Sequence, residues 1–224
     1  MNSTRAILFD LDGTLIDTTD LILACFDHSW RSVCGRSLSR HSYVSTFGIP
    51  LRQAMHLLWT ANVQSNEDAD NWTIIDTLLA EYRAFNLANH DTIANAFIGV
   101  QETIIKLRER QYSIGVVTSK SRELAIRGLK LFRLDGLIDA AVFLEDTERH
   151  KPDPEPILTG LDQLGVPPCE SAYVGDSRFD MIAGRAAGVT TVAALWGPTP
   201  RAELKLEHPD HYACDMTALL NLFP

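Results

Sequence analysis

Two carboxylates two residues apart, Asp10 and Asp12, follow the short apolar run Arg5–Phe9 and precede Gly13-Thr14. A buried strand ending in Asp-x-Asp-Gly-Thr delivers acid groups to the sheet edge where α/β proteins place their chemistry. A carboxylate there can accept a phosphoryl group and later release it to water. A second carboxylate two positions on can protonate the leaving group and then activate that water. Gly13 lets the backbone turn sharply and approach a phosphate closely. The plainer alternative is a strand followed by a solvated Asx turn.

Three further signals bear on that choice. Thr118-Ser119-Lys120 closes an apolar run with a hydroxyl and turn amides suited to phosphate oxygens, although a helix cap explains it equally well. Lys151-Pro152-Asp153-Pro154 places an ammonium before a stiff turn, where it can neutralise a phosphate and a nucleophile; the alternative is a solvated loop lysine. Gly175-Asp176-Ser177-Arg178-Phe179-Asp180 sets two acids four residues apart. Carboxylate oxygens suit Mg²⁺, which keeps several waters and takes few protein ligands; the alternative is a pair of helix-capping acids.

These residues need elements to hold them. Strands are expected at Arg5–Phe9, Ser113–Val117, Ala140–Leu144, Ala172–Val174 and Thr190–Leu195. Between them helical spacing appears over Gly99–Gln111, Glu123–Leu131, Asp153–Leu164 and Phe179–Ala187, the third opening with an Asp cap and Pro154 in its first turn. Strands alternating with helices predict an α/β fold, a Rossmann-like parallel sheet with helices on both faces. Residues 17–94 break the alternation with three helical stripes: Ile22 to Val33, Leu51 to Trp59, and Trp72 to Phe85. Gln64–Asn71 is polar and reads as a loop. A helical insert directly after the first strand is expected to lie as a lid over its C-terminal end.

Composition narrows the class. With 224 residues, 46% hydrophobic and 22% charged, the chain has the make-up of an ordinary soluble globular protein. Its 20 basic and 29 acidic residues give a net charge of -9, which argues against nucleic acid or anionic membrane as the main partner. Four cysteines show no metal-type spacing and read as buried or inert thiols in a reducing cytoplasm. No signal peptide is evident, and no apolar stretch reaches the roughly eighteen residues of a membrane span. The seven histidines form no ligand-spaced cluster.

Taken in order, Asp-x-Asp-Gly-Thr, Thr-Ser-Lys, Lys-Pro and Gly-Asp-x-x-x-Asp resemble the haloacid-dehalogenase-like hydrolase superfamily across essentially the whole chain. The position of the insert is similar to that family's small helical cap, with a core at residues 1–16 and 95–224 and the cap at 17–94. Lys-Pro-Asp-Pro-Glu-Pro (151–156) is similar to the third motif of phosphoglycolate phosphatases and cytoplasmic pyrophosphatases. The resemblance implies Asp10 as nucleophile, forming an aspartyl-phosphate, and Asp12 as general acid and base with its carbonyl on the metal. It implies Leu11, Asp12, Thr118, Ser119 and Lys151 around the phosphoryl group, Lys151 bridging to Asp10. Mg²⁺ would be held by Asp10, Asp12 and Asp176, with Asp180 supporting directly or through water. The implied protein is a cytoplasmic, Mg²⁺-dependent phosphatase acting on a small phosphorylated metabolite.

Dehalogenase chemistry is disfavoured, because a haloacid needs neither a metal nor a protonated leaving group. A phosphonate hydrolase would need a cap lysine, and none lies between Asp17 and Ala94. A phosphomutase would share the core and differ in the cap, while a non-catalytic binding protein would have lost one of the four key residues. Phosphoglycolate is the first expected substrate, with pyrophosphate and sugar phosphates behind it. Gly48 and Arg52 are the candidate substrate contacts of the cap; Arg83 and Arg31 remain open between substrate contact and solvated helix arginine.

Overall fold

The computed structural model describes residues 4–62 and 71–224. In chain order the strands are β1 (Ala6–Phe9), β2 (Ile16–Asp17), β3 (Asn95–Ala96), β4 (Ser113–Val117), β5 (Ala140–Val142), β6 (Ser171–Gly175), β7 (Thr190–Ala194) and β8 (His211–Ala213). The helices are α1 (Thr19–Cys34), α2 (Arg40–Val44), α3 (Leu51–Asn62), α4 (Trp72–Ile93), α5 (Val100–Glu109), α6 (Arg122–Leu131), α7 (Glu155–Leu164), α8 (Arg178–Ala187), α9 (Arg201–Leu206) and α10 (Leu219–Leu222).

Six strands form a parallel sheet in the order β5-β4-β1-β6-β7-β8. Strand β1 is central and wholly buried, as its unbroken apolar run requires of a strand covered on both faces. Its side chains alternate: Ile7 and Phe9 join one core cluster, Ala6 and Leu8 the other. The chain builds β4 and β5 on one side of β1 and then crosses to build β6, β7 and β8 on the other. The strand order therefore reverses at β1, and ligands of such sheets bind in the crevice beyond the strand ends at that reversal. Asp10 is the first residue past β1.

The helices α1 to α4 all lie between β2 and β3, which pair antiparallel through Ile16 with Ala96 and Asp17 with Asn95. The chain thus leaves and re-enters the sheet unit through a two-stranded stalk. Helices α1 and α4 pack along each other, and their buried residues, among them Leu21, Trp30, Ile75 and Leu78, continue the cluster that Ile7 and Phe9 begin.

The five expected strands are present, β4 with the expected ends. Strand β5 stops at Val142 because Leu144–Asp146 form a 3₁₀ turn. Helix α7 starts at Glu155, two residues later than expected; Pro154 occupies the cap position, and Asp153 Oδ1 accepts from the Glu155 amide at 2.9 Å. Trp72, expected in an apolar stripe, is 45% exposed and stacks on His56 at 4.9 Å. Of the polar segment 64–71, positions 64–70 lie outside the described residues; Asn71 caps α4, accepting from the Ile74 amide at 3.2 Å. Cys25 is buried as expected, but Cys169 and Cys214 are exposed. Among the described residues no helix is long and apolar enough to cross a membrane.

Candidate active site

The turn after β1 is closed by the Leu11 carbonyl, which accepts from the amides of Leu15 and Ile16 at 2.9 Å. The amides of Leu11 and Asp12 take no main-chain partner among the described residues. Gly13 has φ 85°, and a Cβ there would lie 2.6 Å from Asp176 Oδ2. Only glycine lets this turn fold against the acid arriving from β6.

The buried centre is a cluster of charges. Lys151, 1% exposed, sets its ammonium 2.8 Å from Asp10 Oδ1 and 2.7 Å from Asp180 Oδ1. The Tyr173 hydroxyl lies 3.1 Å from the same Asp180 oxygen and 3.1 Å from both Lys151 Nζ and the Val117 carbonyl. Asp180 Oδ2 accepts from the Ser177 amide at 2.9 Å and the Ser177 hydroxyl at 2.6 Å. This is a capping box at the start of α8. Both oxygens of Asp180 are therefore engaged in holding Lys151 and the β6–α8 turn. Asp176 Oδ1 accepts from the Thr14 hydroxyl at 2.9 Å, while its Oδ2 and that of Asp10 carry no hydrogen bond among the described residues.

Burial pushes the Asp10 carboxyl up to about 7, against the pull of Lys151. Burial and the neighbouring charges of Asp180 and Asp10 push Asp176 well above the usual carboxylate range. For Lys151 burial acts downward, but the charges of Asp10 and Asp180 outweigh it and hold the ammonium well above its usual value. Asp10, Asp176 and Asp180 bring one oxygen each within 4.8 Å of one another. Three carboxylates against one ammonium leave two negative charges uncompensated, the charge of one divalent cation. The donor set is all oxygen, which fits a hard cation such as Mg²⁺.

Asp12 stands apart from that cluster. Its Oδ1 accepts from the Thr18 hydroxyl at 2.8 Å and from Lys120 Nζ at 2.7 Å. Thr118 accepts at its hydroxyl from the Lys120 amide, 3.1 Å away. The Ser119 hydroxyl donates to the Gly48 carbonyl at 2.8 Å, so this loop is tied directly to the insert. Gly48 has φ 96°, and a Cβ there would lie 2.4 Å from Ser177 Oγ.

Above the turn lies a cavity of about 150 Å³. Asp10, Asp12, Thr118, Ser119 and Lys120 line its floor, and Gly48, Tyr82, Arg83 and Asn86 line the insert side. Arg52 does not line it. Its guanidinium pairs with Asp76 at 2.6 Å and sits over the Trp72 ring, so the structure does not bring Arg52 together with the other expected site residues. Sequence reading also passed over Lys120, Thr18, Thr14 and Tyr173. Lys120 was visible as a cation directly after the strand-end hydroxyls; Tyr173, inside an apolar strand, gave no sign that its hydroxyl reaches the cluster.

Comparison with known proteins agrees with this architecture. Residues 7–194 match the family described as haloacid dehalogenase-like hydrolase. A protein named "Putative pyrophosphatase PpaX" from Caldanaerobacter subterraneus is 41% identical, covering 97% of this chain and 93% of the relative. Pyrophosphatase PpaX of Bacillus velezensis is 36% identical over 97% of this chain and 95% of its own length. The crystal structure of a "putative phosphoglycolate phosphatase" from Lactobacillus plantarum superposes with a TM-score of 0.83 at 26% identity, covering all of both chains. With its acid-bearing strand ends, parallel sheet and match across most of its length, the chain belongs to the haloacid dehalogenase-like hydrolase family, as a phosphoryl hydrolase.

Proposed function

We propose that the chain is a Mg²⁺-dependent hydrolase of a small phosphorylated metabolite, with inorganic pyrophosphate as its first substrate. The observation that carries the reading is the buried Asp10–Lys151 pair at 2.8 Å, with a second Asp10 oxygen left open at the sheet reversal. Asp10 Oδ2 attacks phosphorus, its bond to oxygen forms, and the phosphorus–leaving-oxygen bond breaks. Asp12 delivers a proton to the departing oxygen. The aspartyl-phosphate is then attacked at phosphorus by water, Asp12 takes that water's proton, and Asp10 is released as carboxylate. The amides of Leu11, Asp12 and Ser119, the Thr118 hydroxyl and Lys151 receive the phosphoryl oxygens. Asp10, Asp176 and the Asp12 carbonyl would hold Mg²⁺, which would supply the positive charge that lets an anionic nucleophile meet an anionic phosphate. Asp180 acts through Lys151 and Ser177 rather than on the substrate. The segment 17–94 serves as cap over the core formed by 1–16 and 95–224.

Pyrophosphate moves ahead of phosphoglycolate because the relatives that match at 36–41% identity are named pyrophosphatases. Phosphoglycolate is the second reading, favoured by the likeness to the Lactobacillus plantarum protein. The test is phosphate release from pyrophosphate, phosphoglycolate and a sugar phosphate, with Mg²⁺ or EDTA, for wild type and Asp10→Asn. Mg²⁺-dependent release that needs Asp10 and is fastest with pyrophosphate is expected. Release that persists in Asp10→Asn overturns the mechanism, and a higher kcat/KM for phosphoglycolate reverses the substrate order.

A further inference from the structure

One cation in the cavity is not used by the reacting centre. Arg83 lies on α4 and lines the insert wall. The other cavity-lining cation, Lys120, is held by Asp12 at 2.7 Å. Arg83 has no ion pair and no hydrogen bond among the described residues. The arginines outside the cavity are mostly committed: Arg52, Arg108, Arg127 and Arg149 each hold a carboxylate. Asn86, three residues on from Arg83, is 3% exposed; its Nδ2 donates to Cys25 Sγ at 3.6 Å, and its Oδ1 has no partner among the described residues. The rest of that wall is largely apolar, with Ile22, Phe26 and Ile49 beside Tyr82. The guanidinium fork matches the oxygens of a phosphate or carboxylate in two parallel hydrogen bonds.

The two sides of the cavity therefore ask for different ends of one ligand. The floor, with Asp10 and its phosphate donors, takes the scissile phosphoryl group. The insert wall offers the leaving group a lone positive charge. We infer that Arg83 is the specificity-determining residue of the cap: it binds a second anionic group, phosphate or carboxylate, carried by the leaving group. This rests on the hydrolase reading for its catalytic consequence, though not for binding. It makes small phospho compounds with an anionic tail the substrate class, and esters with a neutral tail poor substrates.

Binding and turnover test it separately. By calorimetry with Mg²⁺ present, the probes are methylenediphosphonate, phosphonoacetate and methylphosphonate, titrated into wild type, Arg83→Ala and Arg83→Lys. Arg83 is exposed and makes no ion pair or hydrogen bond among the described residues, so both variants are expected to fold. Arg83→Ala is expected to weaken one or both two-anion probes about tenfold or more relative to methylphosphonate, the scale of one charge-assisted contact. Arg83→Lys should recover part of the loss. The probe that suffers more identifies the tail as phosphate or carboxylate. In turnover, Arg83→Ala should raise KM for pyrophosphate or phosphoglycolate and lower its kcat/KM about tenfold relative to ethyl phosphate. Equal loss across all three probes, or none, overturns the inference. If wild type hydrolyses nothing while the binding difference persists, the hydrolase reading fails and Arg83 keeps its role. If turnover is normal and KM does not respond, Arg83 fails and the hydrolase reading stands.

Discussion

Replacing Asp10 by Asn should end turnover and, without metal, make the protein more stable at neutral pH. Burial raises the Asp10 carboxyl from 3.8 to about 7. A carboxylate held above its unfolded value favours folding only while protonated. Below pH 3.8 both states carry the proton and nothing is lost. As pH rises toward 7 the unfolded chain gives up its proton first, so the folded state loses ground; above 7 the loss is complete. The interval from 3.8 to about 7 corresponds to about 4 kcal/mol. Asn keeps an oxygen for Lys151 and removes the charge, while Asp180 still balances the ammonium at 2.7 Å. The gain should therefore grow from about 1 kcal/mol at pH 4.5 to about 4 kcal/mol at pH 8, less whatever relaxation recovers. For a chain of this size the upper figure is roughly 8–16 °C in Tm. Thermal unfolding followed by circular dichroism in EDTA at the two pH values measures it. Mg²⁺ added at pH 8 should then raise Tm more for wild type than for Asp10→Asn. A variant that melts lower than wild type at pH 8 in EDTA, or gains equally at both pH values, would refute the charge argument.

The remaining predictions address other parts of the site. Lys151→Met leaves buried carboxylates without their ammonium, so a loss of about 3–5 kcal/mol in metal-free stability is expected; denaturant unfolding at pH 8 checks it, and an unchanged midpoint contradicts the buried pair. Asp176→Asn should weaken Mg²⁺ activation by about tenfold or more, read from the metal dependence of phosphate release; an unshifted activation curve removes Asp176 from the ligand set. Asp12→Asn should slow poor leaving groups more than aryl phosphates, and equal losses count against an acid role. Gly48→Ala puts a methyl 2.4 Å from Ser177 Oγ at φ 96°, which should displace the turn and lower kcat up to about 100-fold. Full activity would show that the insert turn does not set the geometry.

The parallel sheet was legible because its central strands are continuous apolar runs ending in chemistry-bearing residues, and parallel strands buried on both faces read that way. What escaped is short: β2, β3 and β8 have two or three residues each, too few for a period to show. The acidic centre was legible as an ordered set of motifs, since Asp10, Asp176 and Lys151 lie just past strand ends or in the loops beyond, and Asp180 in the first turn of the helix that follows. Which oxygen each acid offers was not. Asp180 is saturated by Lys151, Tyr173 and Ser177, a fact of three-dimensional packing with no counterpart in spacing. Arg52 and Arg83 show the same limit on the insert. Both sit on helices with mixed faces, and only the neighbour across the helix pair, Asp76 for Arg52, decides which one is engaged and which lines the cavity.

The acid cluster also explains why a site of this kind is a weak point of its own fold. Asp10, Asp176 and Asp180 are buried on the axis where β1, β4 and β6 meet, so their mutual repulsion is screened by protein and not by water. A single lysine cannot neutralise them. The excess charge favours protonation in the metal-free chain, and protonated Asp10 is no nucleophile. A cation bound by these oxygens would reverse both effects together, restoring the carboxylate and removing the destabilising charge. Metal binding and folding stability are then linked through the same oxygens, by an amount that grows with cation concentration. On the proposed mechanism, a variant stabilised by neutralising the cluster would gain its stability at the expense of the nucleophile.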